Sequence, residues 1–135
     1  MKSEINIACV KLNLKEIRSF VAQQLEQTTL SEVEANALVL AVDEVCANVI
    51  IHSSQHEKND ILKVCIELTP SQIIFEVVDN GKGYDISKHK MPIVDDIIKS
   101  KRKGGVGLLL VQKIMDEIDF VPHNNGNIIR LIKHL

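Results

Sequence analysis

Residues 35–54, ANALVLAVDEVCANVIIHSS, limit what this chain can fold into more than any other stretch. Their apolar residues fall nearly all round a helix, so a helix built from them must be covered on most sides. Asp43, Glu44 and Asn48 interrupt the apolar run, which rules it out as a membrane span. Glu44 and Asn48 are four residues apart and share one stripe, with His52 one turn further on. Asp43 points about 100° away from Glu44 and reads as scaffold. A carboxylate on a buried helix is costly unless it is paired or used. Glu44 is therefore either half of a structural salt bridge or a working acid. His52 reads as a cap or packing residue rather than a metal ligand, and no zinc ligand set accompanies it.

The other segments supply the cover. INIACVKL alternates and predicts a first strand. Asn13 with Glu16 is a capping pair for a helix over 14–27, and Ser31 with Glu34 is a second pair, opening the long helix that runs to about 52. ILKVCIELT and QIIFEVVD predict two strands joined by a turn at Pro70 and Ser71. Residues 80–104 are polar and glycine-bounded, with a short helix expected near 92–99. VGLLLVQKIMDEI predicts a further helix. DFVP and NIIRLIKHL flank HNNG as a closing hairpin. Strands in adjacent pairs predict an α/β sandwich with a mixed, mostly antiparallel sheet and helices on one face. At 135 residues, with no repeat or linker, residues 1–135 are expected to form a single domain.

Composition narrows the function. The formal net charge of -2 gives no electrostatic reason to expect direct contact with nucleic acid. Aromatic residues make up 3%, too few to stack single-stranded bases. Cys9, Cys46 and Cys65 are odd in number and widely spaced in apolar surroundings, which predicts buried thiols in a reducing compartment. The opening MKSEINIACVKLNL breaks its apolar stretch with polar residues, unlike a secretory signal. The expectation is a cytoplasmic protein with no membrane association.

Two further stretches carry chemistry. In VVDNGKGYDI a strand runs into Asp79 and then spends Gly81 and Gly83 within three residues. Asn-Gly is a turn dipeptide, so a plain turn is one reading. In KSKRKGGVGLLL three glycines open a helix, where free N–H groups and the helix dipole favour an anion. Lys101, Arg102 and Lys103 stand just before it, as a solvated loop or as a phosphate clamp. The stretch is not a Walker A loop, because no Gly-Lys-Ser/Thr follows, and no strand precedes it as a dinucleotide fingerprint requires.

Glu44 and Asn48 on one helix, then Asp79-x-Gly81-x-Gly83, then Gly105-x-Gly107-Leu108 together resemble the ATP-binding domain of the GHKL superfamily. Within it the chain most resembles the anti-sigma-factor serine kinases, through its single domain, the continuation NVIIHS to His52, and the ending IIRLIKHL. The resemblance covers nearly the whole chain. It implies ATP and Mg²⁺ as cofactors. Asp79 would accept from the adenine amino group, with Gly81 and Gly83 giving the base room. Asn48 would ligate Mg²⁺. Gly104, Gly105, Val106, Gly107 and Leu108 would offer backbone N–H groups to the phosphates, with Arg102 or Lys103 as charge partner. Residues 84–103 would form a lid. Glu44 would be the general base for an incoming serine. Val49 departs from the small residue often found in the family, and the lid sequence matches little position by position. The implied activity is phosphorylation of a STAS-type anti-anti-sigma protein, together with sequestration of a sigma factor and pairing as a homodimer through the first strand and helix. A non-catalytic ATP-dependent switch and a detached histidine-kinase-like ATPase domain are the alternatives.

Overall fold

Strict alternation in one strand sets the architecture. The computed structural model describes residues 1–52, 61–79, 105–123 and 126–135. In the strand Gln72–Asp79 the side chains of Ile73, Phe75, Val77 and Asp79 are buried, and those between them are half-buried. A period of two sends alternate residues to opposite faces, so one face of this strand is core. In chain order the strands are β1 (Lys2–Ala8), β2 (Ile61–Leu68), β3 (Gln72–Asp79), β4 (Glu117–His123) and β5 (Gly126–His134). They form a five-stranded sheet in the order β1-β2-β3-β5-β4. Every described pairing is antiparallel, so the sheet is less mixed than the sequence suggested.

Among the described residues three helices cover the core face: α1 (Leu14–Leu25), α2 (Glu32–His52) and α3 (Gly105–Ile114). Ile17, Val21 and Leu25 of α1 recur at helical spacing and are buried. Leu38, Val42, Val45 and Val49 of α2 join them in one cluster with Leu62, Val64, Ile73, Phe75 and Leu131 of the sheet. The other sheet face carries Lys63, Cys65, Glu76, Arg130 and Ile132, with Glu76 accepting from Arg130 at 3.0 Å. Cys46 and Cys65 are buried and Cys9 is only half-buried; all three are thiols. Among the described residues no helix is long and apolar enough to cross a membrane.

Several local expectations are corrected. The first strand begins at Lys2 and ends at Ala8, and a 3-10 turn at Lys11–Asn13 follows it. Asn13 does not cap α1; its Nδ2 donates to the Ala8 carbonyl at 2.8 Å and holds the chain in that turn. The helix after the glycines stops at Ile114 rather than running through Ile118. Glu117 and Ile118 pair with Ile132 and Leu131 instead, a tertiary contact that overrides their helical pattern. The helix expected near 92–99 lies outside the described residues.

The second capping pair forms. Glu34 N–H donates to Ser31 Oγ at 3.1 Å, and Ser31 Oγ donates to the Glu34 carboxylate at 3.0 Å. This satisfies a backbone donor that the first turn of α2 would otherwise leave open. Ser31→Ala should therefore cost about 1 kcal/mol of stability, measured by urea unfolding. No change would mean that α2 is held by its burial alone.

Candidate active site

The buried row of β3 ends in a charged residue. Asp79 is 1% exposed, lies opposite Leu62 on one side and Asn127 on the other, and is the one buried charged or polar residue among those described. The alternation that buries Phe75 and Val77 also turns Asp79 toward the helix-covered side. A carboxylate there needs a hydrogen-bonding or ionic role, because burial without one is expensive.

Above the sheet, Val45 and Val49 point into the core, which puts Glu44 and Asn48 on a half-buried flank of α2. The Asn48 amide is oriented by its own helix: Nδ2 donates to the Glu44 carbonyl at 2.8 Å. That bond uses the donor end and presents Oδ1, the end suited to a hard cation. Among the described residues no group of three His, Cys, Asp or Glu side chains could hold a metal.

Glu44 and its neighbour Asp43 diverge. Asp43 accepts from Arg18 Nη1 of α1 at 3.0 Å and so ties the two helices together, the scaffold role expected of it. Burial raises the Glu44 carboxyl above its ordinary value, and the adjacent Asp43 carboxylate raises it further. Burial likewise raises the Cys46 thiol, which keeps it protonated and unreactive. The helix α3 begins at Gly105, so the backbone of Gly105, Val106, Gly107 and Leu108 forms its first turn, where N–H groups have no intrahelical acceptor. Gly81, Gly83, Arg102, Lys103 and Gly104 lie outside the described residues. A cavity of about 380 Å³ lined by Lys2, Glu76, Arg130 and Ile132 opens on the far face of the sheet, away from Asp79.

Two residues went unnoticed in the sequence. Gln112 Oε1, on α3, is buried with no hydrogen-bond partner among the described residues. The signal was a lone amide inside LLLVQKI. The other is Lys133, which breaks the apolar alternation of Ile129 and Leu131 on the core face of β5.

A one-layered antiparallel sheet under three helices, with an acid at a strand end, an oriented amide on the central helix and a glycine-opened helix, has the parts of a nucleotide-binding α/β sandwich. The chain belongs to the histidine kinase-like ATPase domain family, whose model matches residues 10–133. It is 28% identical over 134 residues to the anti-sigma F factor of Thermoanaerobacter sp. (strain X514), covering 98% of this chain and 92% of that one. It is 30% identical over 101 residues to the anti-sigma F factor of Clostridium botulinum (strain Alaska E43 / Type E3), covering 74% of this chain and 67% of that one. The serine-protein kinase RsbW of Bacillus subtilis (strain 168) is 25% identical over 106 residues, covering 76% of this chain and 66% of that one.

The Glu44 environment makes a stability prediction with a definite sign. Folding disfavours its charged form, so Glu44 lowers stability as pH rises through the carboxylate range and has no such effect at pH low enough to protonate both states. Glu44→Gln should be the more stable protein at neutral pH, by less than about 1 kcal/mol for a partly exposed group, with the gap closing below about pH 4. A less stable variant at neutral pH would show instead that Glu44 is a structural ion-pair partner.

Proposed function

We propose that this chain is an ATP-dependent protein-serine kinase that phosphorylates a small STAS-type anti-anti-sigma protein and also holds a sigma factor. The observation that carries the reading is the oriented Asn48 amide one turn from Glu44 on the central helix of a histidine kinase-like ATPase domain. The names of its relatives, anti-sigma F factor and serine-protein kinase, support both halves.

In this reading Asp79 accepts a hydrogen bond from the adenine amino group, and Gly81 and Gly83 let the backbone approach the base. The first turn of α3, from Gly105 to Leu108, donates N–H groups to the phosphates, and Gly104 with Arg102 or Lys103 completes the cradle. Asn48 Oδ1 would hold Mg²⁺, which when bound neutralises charge on the phosphate oxygens. Glu44 takes the proton from the incoming serine hydroxyl. Its raised pKa suits that task, since a base is more effective when its conjugate acid is not too strong. The serine oxygen then bonds to the γ-phosphorus as the bond to the ADP leaving oxygen breaks.

A second reading is a switch that binds ATP and sequesters its partner without transferring phosphate. It is favoured by a match over 98% of this chain to a protein named only as an anti-sigma F factor.

Two experiments test the proposal, the first its nucleotide site and the second the choice between the two readings. Asp79→Asn replaces an acceptor oxygen with a donor group and should weaken ATP binding about tenfold or more in calorimetry. Unchanged affinity would remove Asp79 from the adenine site. Glu44→Gln should still bind ATP but transfer phosphate to a STAS protein on the order of 10²–10⁴-fold more slowly. Transfer at the natural rate would remove the base role, and no transfer by the natural protein would favour the non-catalytic switch.

A further inference from the structure

The core-facing side of β5 places Ile129 and Leu131 in the cluster under the helices, then Lys133 at the next position of the same row. A lysine there needs a reason. Its Nζ donates to the carbonyl of Ile114, the last residue of α3, at 3.1 Å. It also lies 3.8 Å from Asp116 Oδ2. Asp116 is held in turn: its Oδ2 accepts from His134 N–H at 2.6 Å, and its own N–H donates to the Ile132 carbonyl at 2.9 Å. The backbone hydrogen bond from His134 keeps the Asp116 carboxyl below its ordinary value, with the charges of Lys133 and His134 adding to that effect. A cation at a helix C-terminus meets both the open carbonyls and the negative end of the dipole.

Three hydrogen bonds and one ion pair tie the C-terminal end of α3, at Ile114, and the turn after it, at Asp116, to β5. The other end is the glycine turn that opens at Gly105. Ten residues of helix span about 15 Å and move nearly as a rod. We infer that Lys133 and Asp116 form a latch that positions α3, and through it aims the Gly105–Leu108 N–H groups at the nucleotide phosphates. Both are positioning residues, since they act at the Ile114 end of α3, opposite the Gly105 turn. The inference rests on the reading of the α3 start as the phosphate site.

The latch acts on phosphate and not on base, which gives it a distinct signature. Calorimetry with ATP and with adenosine on the full chain reads it. Lys133→Met should weaken ATP at least about threefold, the scale of a helix-end charge, and leave adenosine unchanged. Lys133→Arg, which keeps the charge and the donors, should restore ATP binding. Amide exchange in the hydrogen-bonded body of α3, Leu109 to Ile114, should speed up in Lys133→Met while β2 and β3 keep their protection. Asp116→Asn, at a more exposed position, should move all these readouts the same way and carries the test if Lys133→Met does not fold. Equal losses for ATP and adenosine, or no change in either, would overturn the latch. Natural protein that binds neither ligand would overturn the nucleotide reading and the latch with it.

Discussion

Burial of α2 between the sheet and its neighbouring helices is the constraint on which the other features rest. Leu38, Val42, Val45 and Val49 are almost completely buried in the shared cluster. Each such side chain contributes about 1.5–3 kcal/mol when removed from water. Their sum far exceeds the cost of holding one partly desolvated carboxylate, so the fold can keep Glu44 where its charge is disfavoured. The same packing fixes the rotation of α2. With Val45 and Val49 turned inward, Glu44 and Asn48 fall on a flank and Asp43 turns toward Arg18 of α1. The rotation of one helix thus sorts three polar residues within two turns into a candidate base, a candidate metal ligand and an ion-pair partner.

The sheet does comparable work for the opposite side of the site. Alternation in β3 cannot bury Ile73, Phe75 and Val77 without also turning Asp79 inward. Pairing with β2 and β5 then holds that strand on both edges, so the acid sits on a rigid element rather than a loop. Chemistry at a strand end combined with chemistry at a helix start needs both ends of α3 controlled, and the cation at its C-terminal end belongs to the closing strand.

What the sequence made legible follows from how local each signal is. The apolar α2, the alternating β2 and β3 and the Ser31–Glu34 cap depend on residues within a few positions, and they appear where the pattern puts them. The Asn13 cap fails because a nearby carbonyl, that of Ala8, takes the Asn13 amide, and the C-terminal extent of α3 fails because β5, distant in the chain, takes the backbone of Glu117 and Ile118. Glu44, Asn48 and Asp79 were legible as candidates because a polar residue stands out in an apolar pattern. Lys133 stands out in the same way, but its meaning needs Ile114, which is far from it in the chain and beside it in space. The resemblance to a known domain gave Gly81 and Gly83 their expected role and chose between a solvated loop and a phosphate clamp for the basic residues before α3; all of these lie outside the described residues.

The central claim is that the nucleotide sits on the helix-covered side of the sheet, between Asp79 and the start of α3. Amide chemical-shift mapping of ¹⁵N-labelled protein titrated with Mg²⁺-ATP tests it most directly. The account predicts the largest shifts at Asp79, at Gly105–Leu108 and at the Asn48 side-chain amide, with little change at Ile74, Glu76 and Arg130 on the open face. Shifts centred on Ile74, Glu76 and Arg130, with Asp79 and Asn48 silent, would contradict it.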